Sequence, residues 1–351
     1  MTSTRAALLA ALTAVAALCS LLLHVPRAQA AAGLEEVTGF GSNPGALKMY
    51  RYVPDGLPAG RPVVVVLHGC TQNAAGYGPG SGWTELAERW GFSVVVPEQQ
   101  AANNLNKCFN WFQTGDSSRG QGEAASIAQM VDRQLADVSG DPARVQVTGL
   151  SAGGAMTSVM MAAYPEKFRA GGVVAGLPYG CAQAAGSPYV CMYVGATQTP
   201  RQWGDRVRAA RPGYAGPWPR LTVLHGSADT TVKPVNMGDL VEQWTDVHGA
   251  DQAADVSDTV GGHPHQEFHG PDGTAVVETY SITGMGHGQP VDPGSADTQC
   301  GTAGPYLLDV DLCAAYRMGK AWGLGQGPGV RGTCAAGRLS LCGGLRDPAV
   351  A

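Results

Sequence analysis

A serine, an aspartate and a histidine lie far apart in this 351-residue sequence, each in a setting suited to nucleophilic catalysis. Ser151 sits in Val145-Gln-Val-Thr-Gly-Leu-Ser-Ala-Gly-Gly154. A β-branched run feeds a Gly-x-Ser-x-Gly pattern, and small residues with Met follow. That order predicts strand, tight turn and helix with one hydroxyl at the apex, a nucleophile elbow. The pattern alone is weak, because a chain with 50 Gly meets it by chance. The alternative is a Gly-rich loop carrying an idle serine.

A serine hydroxyl is a poor nucleophile at its free pKa. It needs a base, and the base needs a carboxylate to fix its tautomer and stabilise the imidazolium. Asp229 lies in His225-Gly-Ser-Ala-Asp229-Thr-Thr-Val-Lys-Pro234, just past a strand-like run. Its alternative role is an Asx-turn or a helix cap. Asp205 and Asp251 are the rival acids, and neither directly follows a strand. His287 lies between glycines in Gly284-Met-Gly-His-Gly-Gln-Pro290, after the apolar run Ala275–Ile282. A tetrahedral intermediate also needs two backbone N–H donors. Ala152, following the nucleophile, supplies one. The loop His68-Gly69-Cys70 supplies the other through Cys70, with Thr71 as rival.

The remaining histidines have quieter expectations. His225 supports the Asp229 turn, and His68 orients its loop. His263, His265 and His269 have a spacing that could hold a metal, but a solvated surface cluster in a Pro/Gly hairpin is the expectation. No metal or organic cofactor is expected.

These residues need a frame. Pro62–Leu67 and Phe92–Pro97 are continuous apolar runs, the mark of strands buried on both faces. Leu47–Val53, Gly172–Gly176, Leu221–His225 and a last strand Ala275–Ile282 join them. Helices are expected at Trp83–Trp90, Gly122–Val138, Gly153–Ala163, Val235–Val247 and Ala314–Trp322, with a Gly-rich loop after Cys70. Asn103–Phe112 reads as a polar and aromatic loop. Leu177–Trp218 is too long for a plain loop, and part of it, Thr199–Ala210, reads as helix in a wall of the site. The alternation predicts an α/β-hydrolase fold with a doubly wound, mostly parallel sheet in one domain, residues 33–325.

Residues 1–32 read as a signal peptide: Arg5, an apolar run from Ala6 to Val25, and the small-residue site Ala28-Gln29-Ala30. A retained anchor is the alternative. No other stretch is long and apolar enough to span a bilayer. The mature chain is therefore expected to be secreted and, in the simplest case, monomeric. Eight cysteines then remain, an even number in an oxidising compartment. They permit 105 pairings. Proximity favours Cys181–Cys191, Cys300–Cys313 and Cys334–Cys342, leaving Cys70–Cys108. Residues 326–351 read as a short tail stapled by Cys334–Cys342. A net charge of −5 and the lack of any Lys/Arg cluster argue against nucleic acid or anionic membrane as partners.

The segments Leu67-His-Gly-Cys-Thr-Gln72, Pro97-Glu-Gln99, Cys108-Phe-Asn-Trp111, Gly149-Leu-Ser-Ala-Gly-Gly154, His225-Gly-Ser-Ala-Asp229 and Gly286-His-Gly288 occur in order. Together they resemble the extracellular polyhydroxybutyrate depolymerase group, related to secreted feruloyl and acetylxylan esterases of carbohydrate esterase family one. The resemblance covers roughly residues 33–324. It implies Ser151, Asp229 and His287 as a triad, with Cys70 and Ala152 as oxyanion donors. Many of that group add a linker and a polymer-binding domain, whereas only a short stretch follows Leu324 here. Soluble oligomers or plant-wall esters are then expected beside polymer as substrates. Trp111 is the expected substrate contact, with core packing as its alternative, and Trp203 is open to both. A peptidase of the same fold would share the triad. A non-catalytic binding protein would lack one of its members, and none is missing.

Overall fold

The computed structural model describes residues 33–325. The expected signal peptide, the expected tail and the expected Cys334–Cys342 pairing lie outside the described residues. The strand that opens the sheet is β1 (Glu35–Val37), followed by β2 (Lys48–Tyr52) and β3 (Val63–Leu67). Helices α1 (Ala74–Gly80) and α2 (Trp83–Trp90) lead to β4 (Ser93–Glu98). After a loop come α3 (Thr114–Ser117), α4 (Gly122–Val138), β5 (Val145–Leu150), α5 (Ala152–Ala163) and β6 (Ala170–Val174). The long middle stretch holds α6 (Cys181–Ala185), α7 (Pro188–Val194) and α8 (Pro200–Ala210). The chain then runs through β7 (Arg220–Gly226), α9 (Val235–His248), β8 (Val256–Val260), β9 (His263–His269) and β10 (Ala275–Ile282). It closes with β11 (Gln289–Val291), β12 (Leu307–Asp309) and α10 (Ala314–Ala321).

The main sheet has ten strands in the order β1-β2-β4-β3-β5-β6-β7-β10-β9-β8. The pairs from β4 to β10 across its centre are parallel. Antiparallel pairs flank them, β1-β2-β4 on one side and β10-β9-β8 on the other. β3 and the middle of β4 read as unbroken apolar runs because both faces are covered. Val63, Val65 and Leu67 enter one core with Ile127, Met156, Met160, Leu240 and Trp244, whereas Val64 and Val66 enter a second with Tyr77, Trp83, Leu86 and Met318. That split is the two-residue period of a strand. It places α4, α5 and α9 on one face and α1, α2 and α10 on the other. The crossovers put the carboxyl ends of the parallel strands along one edge, where ligand sites of such sheets form.

Three elements depart from expectation. The stretch after Cys70 is no plain loop: α1 forms there, started by Asn73, whose Oδ1 accepts the Gly76 N–H at 2.8 Å. Its glycines masked that signal. Ala275–Ile282 is not the last strand, since β11 and β12 pair in parallel beyond it. The β8–β9 hairpin adds two strands at one edge, and β8 is mostly exposed, so it lacks the apolar alternation that reveals a strand. Three disulfides lock loops onto this frame: Cys70–Cys108, Cys181–Cys191 and Cys300–Cys313. Among the described residues no helix is long and apolar enough to cross a membrane.

Candidate active site

Ser151 stands between β5 and α5 with φ 58° and ψ −118°. A side-chain-bearing residue rarely adopts such a backbone, and it holds only where the surroundings over-determine it. They do so here. The Ser151 N–H donates to Val174 O at 2.9 Å, next in the ladder, and buried strands lie on both sides. The flanking glycines are required sterically. A Cβ on Gly153 would lie 2.2 Å from Leu67 O, and one on Gly149 would lie 2.5 Å from Gly153 C. The turn therefore closes only with glycine at both positions.

The expected acid and base follow β7 and β10. Past β7 the chain turns, and its amides tie it to the segment after β10: Ser227 N donates to Ile282 O at 2.9 Å and Ala228 N to Met285 O at 3.0 Å. The Asp229 carboxylate is buried. Oδ1 accepts the N–H groups of Thr231 and Val232 at 2.8 and 2.9 Å, and Oδ2 accepts His287 Nδ1–H at 2.7 Å. Burial pushes the Asp229 carboxyl up, but the His287 contact and the two amides outweigh it and hold it below the ordinary value. Nδ1 of His287 is thus the protonated nitrogen, which leaves Nε2 as an acceptor. Among the described residues no hydrogen bond joins Ser151 to His287, and such contacts commonly tighten only around substrate. His225 Nε2 donates to Val232 O at 2.8 Å, so it braces the acid turn, and burial lowers its pKa.

The two expected oxyanion donors have matching circumstances. Among the described residues neither the Cys70 nor the Ala152 N–H is given to an acceptor. The Thr71 N–H, the rival, is spent on Asn106 O at 2.6 Å. The Cys70–Cys108 disulfide binds this loop to the Asn103–Phe112 loop. Its closed loop spans 38 residues. Replacing both cysteines by Ser should cost about 2–4 kcal/mol, read as a lower melting temperature, and should lower kcat more than it raises KM.

A family model described as "Esterase PHB depolymerase" matches residues 47–263. The chain belongs to that family. This esterase is 55% identical over 291 residues to poly(3-hydroxyalkanoate) depolymerase C of Paucimonas lemoignei, covering 83% of this chain and 70% of the relative. It is 36% identical over 263 residues to feruloyl esterase B of Thermothelomyces thermophilus, covering 73% of this chain and 89% of that one. The solved acetyl xylan esterase from Aspergillus awamori superposes with a TM-score of 0.65 at 33% identity, over 72% of this chain and 93% of the other. Membership makes the chain a carboxylic ester hydrolase of the α/β-hydrolase type.

Sequence reasoning missed one buried carboxyl group that ties Gln99 to Asn110. Glu123 opens α4 and is 1% exposed. Its Oε1 accepts Gln99 Nε2 at 2.5 Å and Asn110 Nδ2 at 2.8 Å, and its Oε2 accepts Asn110 N–H at 2.8 Å. Burial pushes the carboxyl up to about 8, against donors that favour the charged form. The visible signal was its spacing: Glu123, Ile127 and Met130 share one helical face, and an acid there is out of place. The shift has a signed consequence. An acid that holds its proton tighter when folded favours the folded state most below its unfolded pKa of 4.5. That contribution declines as pH rises toward about 8. Stability measured in urea between pH 5 and 8 should fall less steeply in Glu123→Gln than in the native chain.

Other expectations need correction. His265 is not solvated: it is 5% exposed, with Nδ1 2.7 Å from Asp258 and Nε2 3.1 Å from Glu278. The two carboxylates lie on β8 and β10, the strands on either side of β9, so the histidine closes a polar bridge across three strands at the sheet edge. His263 and His269 turn to other partners, Thr283 N and Glu267. Trp203 is fully buried in the α8 face of the core. Trp111 is 7% exposed and packs edge-on against Phe112 at 5.6 Å, so core packing takes most of its surface. An aromatic that was not anticipated stands beside His287. Tyr306 is 46% exposed, its ring edge-on to His287 at 6.2 Å between centroids.

Proposed function

We propose that the chain is a secreted serine esterase acting on polyhydroxyalkanoate-type polyester or its oligomers. The 2.7 Å bond from His287 Nδ1 to the buried Asp229, on segments that follow β7 and β10 as Ser151 follows β5, supports this chemistry. Ser151 Oγ attacks the ester carbonyl and gives its proton to His287 Nε2. Asp229 stabilises the imidazolium. The carbonyl oxygen becomes an oxyanion held by the Cys70 and Ala152 N–H groups. Collapse expels the alcohol, which takes the proton from Nε2 and leaves an acyl group on Ser151. Water, deprotonated by His287, repeats the sequence and frees the acid. Each proton and electron pair has a protein or water partner, so no metal or cofactor enters.

The polyester substrate is supported by the 55% identity to the Paucimonas lemoignei depolymerase. A second reading, a feruloyl or acetylxylan esterase, is supported by the relatives at 33–36% identity. Trp111 offers its small exposed edge to the acyl group. Residues 33–325 act as one catalytic domain, exported by residues 1–32, and work as a monomer. A substrate panel separates the two readings: hydroxybutyrate oligomer, amorphous polyhydroxybutyrate, methyl ferulate, acetylated xylan and short nitrophenyl esters. The first reading expects the hydroxybutyrate substrates to have the highest kcat/KM. A preference for methyl ferulate or acetylated xylan would overturn it.

A further inference from the structure

We infer that Glu123 is a positioning residue for ester hydrolysis, holding the Gly69–Cys70 peptide in the orientation the oxyanion requires. The inference rests on Ser151 and Cys70 acting as proposed above. The Gly69 carbonyl and the Cys70 N–H belong to one planar trans peptide, so they point in opposite directions. Fixing the carbonyl aims the amide. His68 does the fixing: its Nδ1–H donates to Gly69 O at 2.7 Å. Its other nitrogen, Nε2, accepts the Gln99 N–H at 3.1 Å, which selects that tautomer. Burial lowers the His68 pKa to about 4, so the ring stays neutral at working pH.

Two lines then run from this peptide to Glu123. Along the first, Gln99 Nε2 donates to Glu123 Oε1, and the same amide nitrogen reaches Cys108 O at 3.1 Å. Along the second, Cys108 is bonded to Cys70 itself, and Asn110, two residues on, gives both its N–H and its Nδ2 to Glu123. One carboxyl group therefore accepts from three donors on the two segments that hold the oxyanion loop. An apolar residue there would leave those donors buried and unpaired. Burying this carboxyl group without a cationic partner is costly, and accurate aim of a catalytic amide is a reason to retain it.

The test uses Glu123→Gln in the full chain. The amide keeps one acceptor, but its NH₂ faces a donor. Expected are a kcat lower by roughly 10–100-fold, a KM on a short nitrophenyl ester within about twofold, and a boronic-acid transition-state analogue weakened as much as kcat/KM. Gln99→Met removes the side-chain bridge, keeps the backbone N–H to His68, and should lose roughly 3–10-fold in kcat with KM again held. If Glu123→Gln does not fold, Gln99→Met decides. Folded variants with native kcat and unchanged analogue affinity would overturn the inference, as would a loss in KM alone. A native protein that a phosphonate fails to label at Ser151 would instead overturn the reading on which it rests.

Discussion

Ser151→Ala should lose nearly all turnover, by roughly 10⁵–10⁶-fold in kcat, and keep its fold. The size follows from the acyl-enzyme route. Without Oγ no acyl intermediate forms, and only binding and the two amides remain to assist direct attack by water. The fold should survive because Ser151 enters the sheet through its backbone, with its N–H on Val174 O, which alanine keeps. Circular dichroism and the melting temperature should match the native protein. A phosphonate should label the native chain at Ser151 and leave the alanine variant untouched. Substantial esterase activity in the folded variant would rule out this serine as the nucleophile.

Asp229→Asn should be almost as damaging, by roughly 10⁴-fold in kcat near neutral pH. The asparagine oxygen can still accept the Thr231 and Val232 N–H groups, so the turn is retained. The NH₂ then faces His287 Nδ1, which must become the acceptor. The ring proton moves to Nε2, and Nε2 can no longer take the proton from Ser151. Some rate should return at high pH, where hydroxide relieves the need for a base. A variant with near-native kcat would show that Asp229 only braces the loop, and would direct attention to His225, whose Nε2 lies 3.5 Å from the same carboxylate.

Parts of the fold were legible in the sequence for a clear physical reason. The strands β3 and β4 are buried on both faces, so Val63–Leu67 and Val94–Val96 form unbroken apolar runs. The elbow was legible because its steric demand shows as glycine at 149 and 153. Asp229 and His287 were findable because short turns after strands carry them. What lay hidden was whatever depends on distant partners. Glu123 meets Gln99 and Asn110 only after folding, and no local pattern encodes that meeting. Tyr306 reaches His287 through a segment beyond β11 that has no periodicity. β8 was invisible because its exposed residues carry no strand alternation, while its pairing with β9 holds it in place. The likeness to known depolymerases implied a set of site residues. It could not show that the Thr71 amide is already committed to Asn106.

The backbone at Ser151 has a cost that appears in neither kcat nor KM. Its φ of 58° and ψ of −118° suit glycine far better than serine. The folded chain therefore carries, at the proposed nucleophile, a torsional debt on the order of 1–3 kcal/mol. A chain with glycine at 151 would be released from it, inert toward esters and more resistant to heat. The most durable form of this molecule is one that selection for catalysis would discard.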